Sequence, residues 1–134
     1  MIEAYTYLRV VDDEITLRRL TEQACLSARE LKPTKVVKDG APSQLLWYWS
    51  SPRQPLTLPD ADAAVKALLL QQKHIFPTLR EYAAKGTGVF LEIVVQCDIQ
   101  AQPDRPGWGW FLTRETISLL EESGASLDYD IGWR

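Results

Sequence analysis

The side chains able to do chemistry in this chain are few and scattered. His74 is the only histidine. It stands beside Lys73 and just ahead of Pro77, at what reads as a helix end. A histidine base needs an orienting acid and a nearby nucleophile. The residues around His74 supply neither, so a surface histidine at a helix end is the simpler reading. Cys25 and Cys97 are the two cysteines, too far apart in sequence to form a close-spaced metal pair. Cys97 keeps step with Ile93 and Val95 and is expected to face a core, where the thiolate is disfavoured. Gly86-Thr87-Gly88 precedes a strand rather than a helix, so it is a weak phosphate-loop signal.

The carboxylates form clearer groups. Asp12, Asp13 and Glu14 end one extended segment, and Asp128 and Asp130 alternate along another. If those strands were neighbours, their oxygens could hold a hard cation such as Mg²⁺, the start of a metal-assisted hydrolase. Helix capping by Asp12 and Asp13 explains the first group more simply. No catalytic residue, metal or other cofactor is therefore expected, and an enzyme is the disfavoured reading.

The aromatics suggest binding instead. Tyr5 and Tyr7 lie on the first strand, and Trp47, Tyr48 and Trp49 on the third. In RNA-recognition domains of similar strand order, aromatics on these strands stack bases on an open sheet face. Against nucleic acid stand the net charge of −3 and the acids Glu92, Asp98, Asp128 and Asp130 expected on that face. A protein partner fits better. The expected partner-binding set is Tyr5, Tyr7, Arg9, Glu92, Gln96, Asp128 and Asp130, joined by Trp47 and Trp49 or else by Leu46 and Tyr48. Aromatic anchors ringed by charge suit an interface aimed at a basic surface. A small-molecule or nucleic-acid binding module using the same aromatics is the alternative.

The elements that must position these residues follow from periodicity. Residues 4–11, AYTYLRVV, alternate as a strand, with Leu8 and Val10 on one side and Tyr5, Tyr7 and Arg9 on the other. Asp12 and Asp13 cap a helix from about Glu14, with Ile15, Leu20 and Ala24 inward, which must end before Pro33. Residues 35–38 and 44–51 read as a hairpin about the Asp39-Gly40 turn. A proline-rich link leads to a long helix opened by Asp60, with Ala61, Ala64, Val65, Leu68 and Leu69 buried. Pro77 splits this helix in two. Residues 88–98 form the strongest strand, with its odd-numbered positions from Val89 to Cys97 on one side. A loop over residues 100–107 follows.

The closing run from Gly107 to Trp133 reads as a short aromatic strand, a helix and a last strand. Thr113 is its N-cap and Gly124 its left-handed stop. Leu112 and Ile117 are expected to form a hydrophobic staple. Leu127, Tyr129 and Ile131 are expected to face the core, with Asp128 and Asp130 outward. The order is βαββαβ followed by βαβ. The expected fold is a single α+β domain over residues 1–134, with a mostly antiparallel sheet, helices on one face and a ferredoxin-like first part.

Composition sets the remaining bounds. The 134 residues are 46% hydrophobic and 25% charged, ordinary for one globular domain. Five tryptophans are hard to bury completely in a chain this size, so a partly exposed aromatic surface is expected. The N-terminus has no basic region followed by an apolar one, so no signal peptide is expected and the cytoplasm is the default. No apolar run approaches membrane-spanning length.

Several of these features occur together in a known family. A first strand ends in Asp12-Asp13, and a Pro33-Thr34 pair and a Lys38-Asp39-Gly40 turn lead into an aromatic strand. The chain closes on Gly124-Ala125-Ser126-Leu127-Asp128-Tyr129-Asp130-Ile131. Over nearly its whole length the chain resembles a bacterial domain-of-unknown-function family, number four-two-seven-nine. It departs from the family pattern before Pro33, where it is longer. It also has Lys-Asp-Gly-Ala-Pro where the family tends to Lys-Gly-Asp-Pro. The resemblance implies kinship with a family some of whose members look like bacterial toxin-neutralising immunity proteins, hence a non-catalytic protein whose partner is a toxin; the acidic charge of this chain suits a basic one. Its oligomeric state is left open.

Overall fold

The computed structural model describes residues 2–36, 44–97 and 110–133. The chain runs β1 (Ile2–Asp12), α1 (Glu14–Gln23), β2 (Lys32–Val36), β3 (Gln44–Ser50), β4 (Gln54–Pro55), α2 (Ala61–Gln72), α3 (Phe76–Ala84), β5 (Gly88–Cys97), α4 (Arg114–Ser123) and β6 (Ser126–Trp133). The fold is α+β, built on one six-stranded mixed sheet ordered β2-β3-β1-β5-β6, with β4 also paired to β1. β1 runs antiparallel to β3, β4 and β5, and β2 antiparallel to β3. β6 runs parallel to β5, because α4 carries the chain back to the end from which β5 started.

β1 is the organising strand. Its first half pairs with β4 and its second half with β3. Ser51 manages the change: its backbone N–H donates to Leu8 O at 2.9 Å, and its Oγ accepts from Leu8 N at 2.9 Å. The even positions Thr6, Leu8 and Val10 are completely buried, as are Leu91, Ile93, Val95 and Cys97 of β5. Strand alternation puts all of these on one face, and the helices cover it through Leu17, Leu20, Val65, Leu68, Leu69 and Leu79.

The helix boundaries follow local chemistry. Asp13 caps α1, its carboxylate accepting from Thr16 N at 2.7 Å. Pro77 stands in the first turn of α3 after a short 3₁₀ step over Lys73–Ile75, so its missing amide costs nothing there. Gly124 ends α4 at φ 73, the left-handed conformation that a β-carbon disfavours. Thr113 caps α4 and is itself gripped by Asp62 of α2, whose Oδ1 accepts from Thr113 N at 2.7 Å and from its hydroxyl at 3.1 Å. Burial pulls the Asp62 carboxyl upward, but hydrogen bonds from Thr113 and Thr116 and the Lys66 charge hold it below its usual value.

Several details differ from the sequence expectation. β2 starts three residues early and takes in Pro33, which an edge strand tolerates because the missing amide is not needed on its outer side. Ile15 is 67% exposed, and α1 turns Leu17, Leu20 and Thr21 inward instead. Ile117 is 51% exposed, so it forms no staple; Thr116, Leu119 and Ser123 are the buried positions of α4. Trp110 to Leu112 form no strand; the Trp110 ring packs on Tyr129 with centroids 5.3 Å apart. The Asp39-Gly40 turn, Asp98 and the loop over residues 100–107 lie outside the described residues. No described helix is long and apolar enough to cross a membrane.

Candidate functional site

The odd positions of β1 and the even positions of β3, β5 and β6 form the second face of the sheet, which no described helix covers. Register builds it row by row. Tyr7 stands opposite Glu92, and Glu92 opposite Asp128. Tyr5 stands opposite Val94, and Val94 opposite Asp130. Arg9 lies between Phe90 and Ser50, and Gln96 pairs with Glu3. Seven of the nine expected binding residues therefore share this face: Tyr5, Tyr7, Arg9, Glu92, Gln96, Asp128 and Asp130.

Trp47 and Trp49 do not. Parity puts both on the helix-covered face, where Trp49 is only 4% exposed and Trp47 packs on the core under the Arg18 guanidinium. Leu46 and Tyr48 take the face positions of β3. The run Leu45-Leu46-Trp47-Tyr48-Trp49 is apolar throughout, so alternation cannot tell its two sides apart.

Charge divides the face in two. On one side, guanidiniums lie on tyrosine rings. Arg9 Cζ is 5.0 Å from the Tyr48 centroid, and Arg53 Cζ is 4.2 Å from that of Tyr5 and 5.9 Å from that of Tyr7. With Lys32 they line a polar cavity of about 390 Å³. Arg53 and Lys32 escaped sequence reasoning because one lies in the proline-rich link and the other before the expected strand.

On the other side are acids. Glu92 is only 5% exposed. Its carboxyl is pushed up to about 7, first by burial, then by a hydrogen bond with Asp128 and by the charges of Asp128 and Asp130, against the pull of Arg9. The Glu92 carboxyl is therefore partly protonated near neutrality, which lets it donate a hydrogen bond toward Asp128. Tyr7, across from Glu92, is raised by burial and then by the Glu92 charge, with Arg9 and Arg53 opposing. A second groove of about 550 Å³ runs beside the pair, walled by Phe90, Leu46, Arg9 and Asp12. The Phe90 ring lies so close over Gly88 that an added β-carbon would stand 2.8 Å from its edge.

The other candidates separate. β5 stands between β1 and β6, so Asp12 to Glu14 and Asp128 to Asp130 are not on adjacent strands. Asp12 is engaged locally, accepting from Thr87 Oγ1 at 2.6 Å and from Asp13 N at 2.7 Å. Among the described residues no group of three His, Cys, Asp or Glu side chains could hold a metal ion. His74 is exposed, Cys25 is exposed and Cys97 is buried. No family model, curated protein or solved structure matches the chain. The family resemblance rests on the sequence motifs alone.

Proposed function

We propose that this protein is a non-catalytic binding protein whose working surface is the helix-free sheet face. The supporting observation is the arrangement on that face. Half-buried aromatics, Tyr5, Tyr7, Tyr48 and Phe90, run between a cationic edge and an acidic edge. Desolvated aromatic centres ringed by charge are the usual anatomy of a protein interface. The particular form is the one the family resemblance implies: a bacterial immunity protein that binds a cognate toxin and occludes its active or partner surface. Glu92, Asp128 and Asp130 face its basic groups, and Arg9 and Arg53 meet acidic ones. The order β2-β3-β1-β5, antiparallel throughout, supports the ferredoxin-like reading of the first part, with α4 and β6 as an addition.

The test is co-expression with the product of the adjacent gene. Protection from that product, with direct binding weakened by Asp130→Lys, is the expected result. A charge reversal at an interface edge slows association and raises the salt dependence. Absence of both protection and binding overturns the toxin reading; binding indifferent to Asp130→Lys overturns the choice of face.

A further inference from the structure

The cationic edge carries chemistry that a protein interface does not require. Arg9, Lys32 and Arg53 converge on one cavity of about 390 Å³, and none of them makes an ion pair among the described residues. Among the described residues the only carboxylate lining it is Glu30, so these side chains give the cavity a formal excess of two positive charges. Both guanidiniums rest on tyrosine rings, Arg9 on Tyr48 and Arg53 on Tyr5, contacts that use the face of a guanidinium rather than its N–H donors. Arg9 Nε is buried and has no acceptor.

We propose that this cavity binds the phosphate of a small phosphomonoester. A dianion matches the charge excess, whereas a monocarboxylate leaves one cation unmatched. Arginine forks suit phosphate oxygens bidentately. The hydroxyls of Thr34 and Ser50, also in the lining, add neutral donors. The volume exceeds what one phosphate needs and lies within the usual range of ligand pockets, roughly 300–1,000 Å³. The lining is polar, so the organic part is polar too. An oligonucleotide is disfavoured on two grounds. The rings of Tyr5, Tyr7 and Tyr48 are already covered by guanidiniums, and Glu92, Asp128 and Asp130 repel a strand that continues across the sheet. The site shares a face with the proposed interface but does not depend on it.

The purified full chain is titrated with glycerol phosphate, inorganic phosphate and acetate, following the arginine side-chain N–H signals by NMR and the heat by calorimetry. Both phosphates should saturate the Arg9 and Arg53 signals, and acetate should not. Affinity for glycerol phosphate should fall as pH drops through about 6, where the monoester dianion takes up a proton and becomes a monoanion. Arg53→Gln, at an exposed position, should weaken phosphate binding roughly 10-fold or more, the loss of a charge-assisted hydrogen bond. No saturable response to either phosphate overturns the proposal, as does acetate binding as tightly as phosphate or an Arg53→Gln chain that binds like the parent. These outcomes need no protein partner, so they leave the interface reading to its own test.

Discussion

The two faces of β1 and β5 are made from the same strands and solve opposite problems. On the helix side, Leu8, Val10, Leu91, Ile93 and Val95 are fully buried, and the buried polar group among them is satisfied: Thr6 Oγ1 donates to Glu92 O at 2.7 Å. On the far side, one residue along in each strand, Arg9 keeps a buried donor without an acceptor among the described residues, and the buried Glu92 carboxyl is pushed up to about 7. The first face is complete within the chain. The second keeps an unmatched donor and a raised carboxyl that the described residues leave unresolved. That asymmetry, more than any single residue, is what supports the proposal that the second face is the working one.

The sharpest way to break the comparison is to damage the complete face. Leu8→Ala should destabilise the protein by ~2–5 kcal/mol, because a completely buried leucine leaves a cavity that its neighbours only partly fill. Denaturant unfolding measures it. Ligand or partner affinity of the fraction still folded should be unchanged. A loss of affinity in that fraction would mean the two faces are not energetically separate.

Asp62→Ala asks whether the added αβ unit is clamped to the complete side. Its carboxylate receives two hydrogen bonds from Thr113, so removal should cost ~1–2 kcal/mol. The Asp62 carboxyl is held below its usual value in the fold. Its contribution is therefore present above the unfolded pKa and disappears as pH falls through the lower folded one. The variant should lose part of the stability difference between neutral and acid pH. An unchanged profile would show that Thr113 finds another acceptor.

Glu92→Gln probes the unresolved face. The Glu92 pKa is raised in the fold to about 7, so the folded state binds more protons than the unfolded one between about pH 4.5 and 7. Stability from this group is full below the unfolded pKa and is lost as pH rises through 7. The glutamine variant, which cannot ionise, should be more stable than the parent at pH 8, by up to about 3 kcal/mol, with the gap shrinking as pH falls toward 4.5. Parallel profiles for the two proteins would show that the Glu92 carboxyl is not raised.

Much of the complete face was legible from the sequence, because a core writes itself as periodicity. The odd positions of β5, the inward leucines of α2 and the caps Asp13, Thr113 and Gly124 all stand where alternation and capping chemistry put them. Periodicity failed where both sides were apolar, as at Trp47 and Trp49. It failed again at Ile15 and Ile117, single apolar residues that α1 and α4 turn to solvent beside their buried Leu17, Leu20 and Leu119. The unresolved face was legible only as a set of residues. That Glu92 meets Asp128 depends on the parallel register of β5 and β6, and that Arg9 meets Tyr48 depends on the register of β1 and β3. Pairing registers are tertiary facts, fixed by the whole sheet and silent in any local window.

The smallest expected effect on stability is the most discriminating between the faces. Asp130 is exposed at the end of a row whose other members are Val94 and Tyr5, and the buried Glu92 carboxyl is already raised in part by its charge. Asp130→Lys should therefore change folding stability by no more than ~0.5 kcal/mol. It should also lower the Glu92 pKa, because a nearby positive charge favours the carboxylate. Asp128→Lys is a blunter substitution, since it also removes the hydrogen bond to Glu92. An NMR titration of the Glu92 carboxyl in the Asp130→Lys chain checks the expectation without any partner. A downward shift with unchanged unfolding places Asp130 in the electrostatics of the second face and outside the support of the first. A Glu92 pKa that does not move would detach Asp130 from the carboxyl pair and leave any binding defect of the variant to direct contact alone.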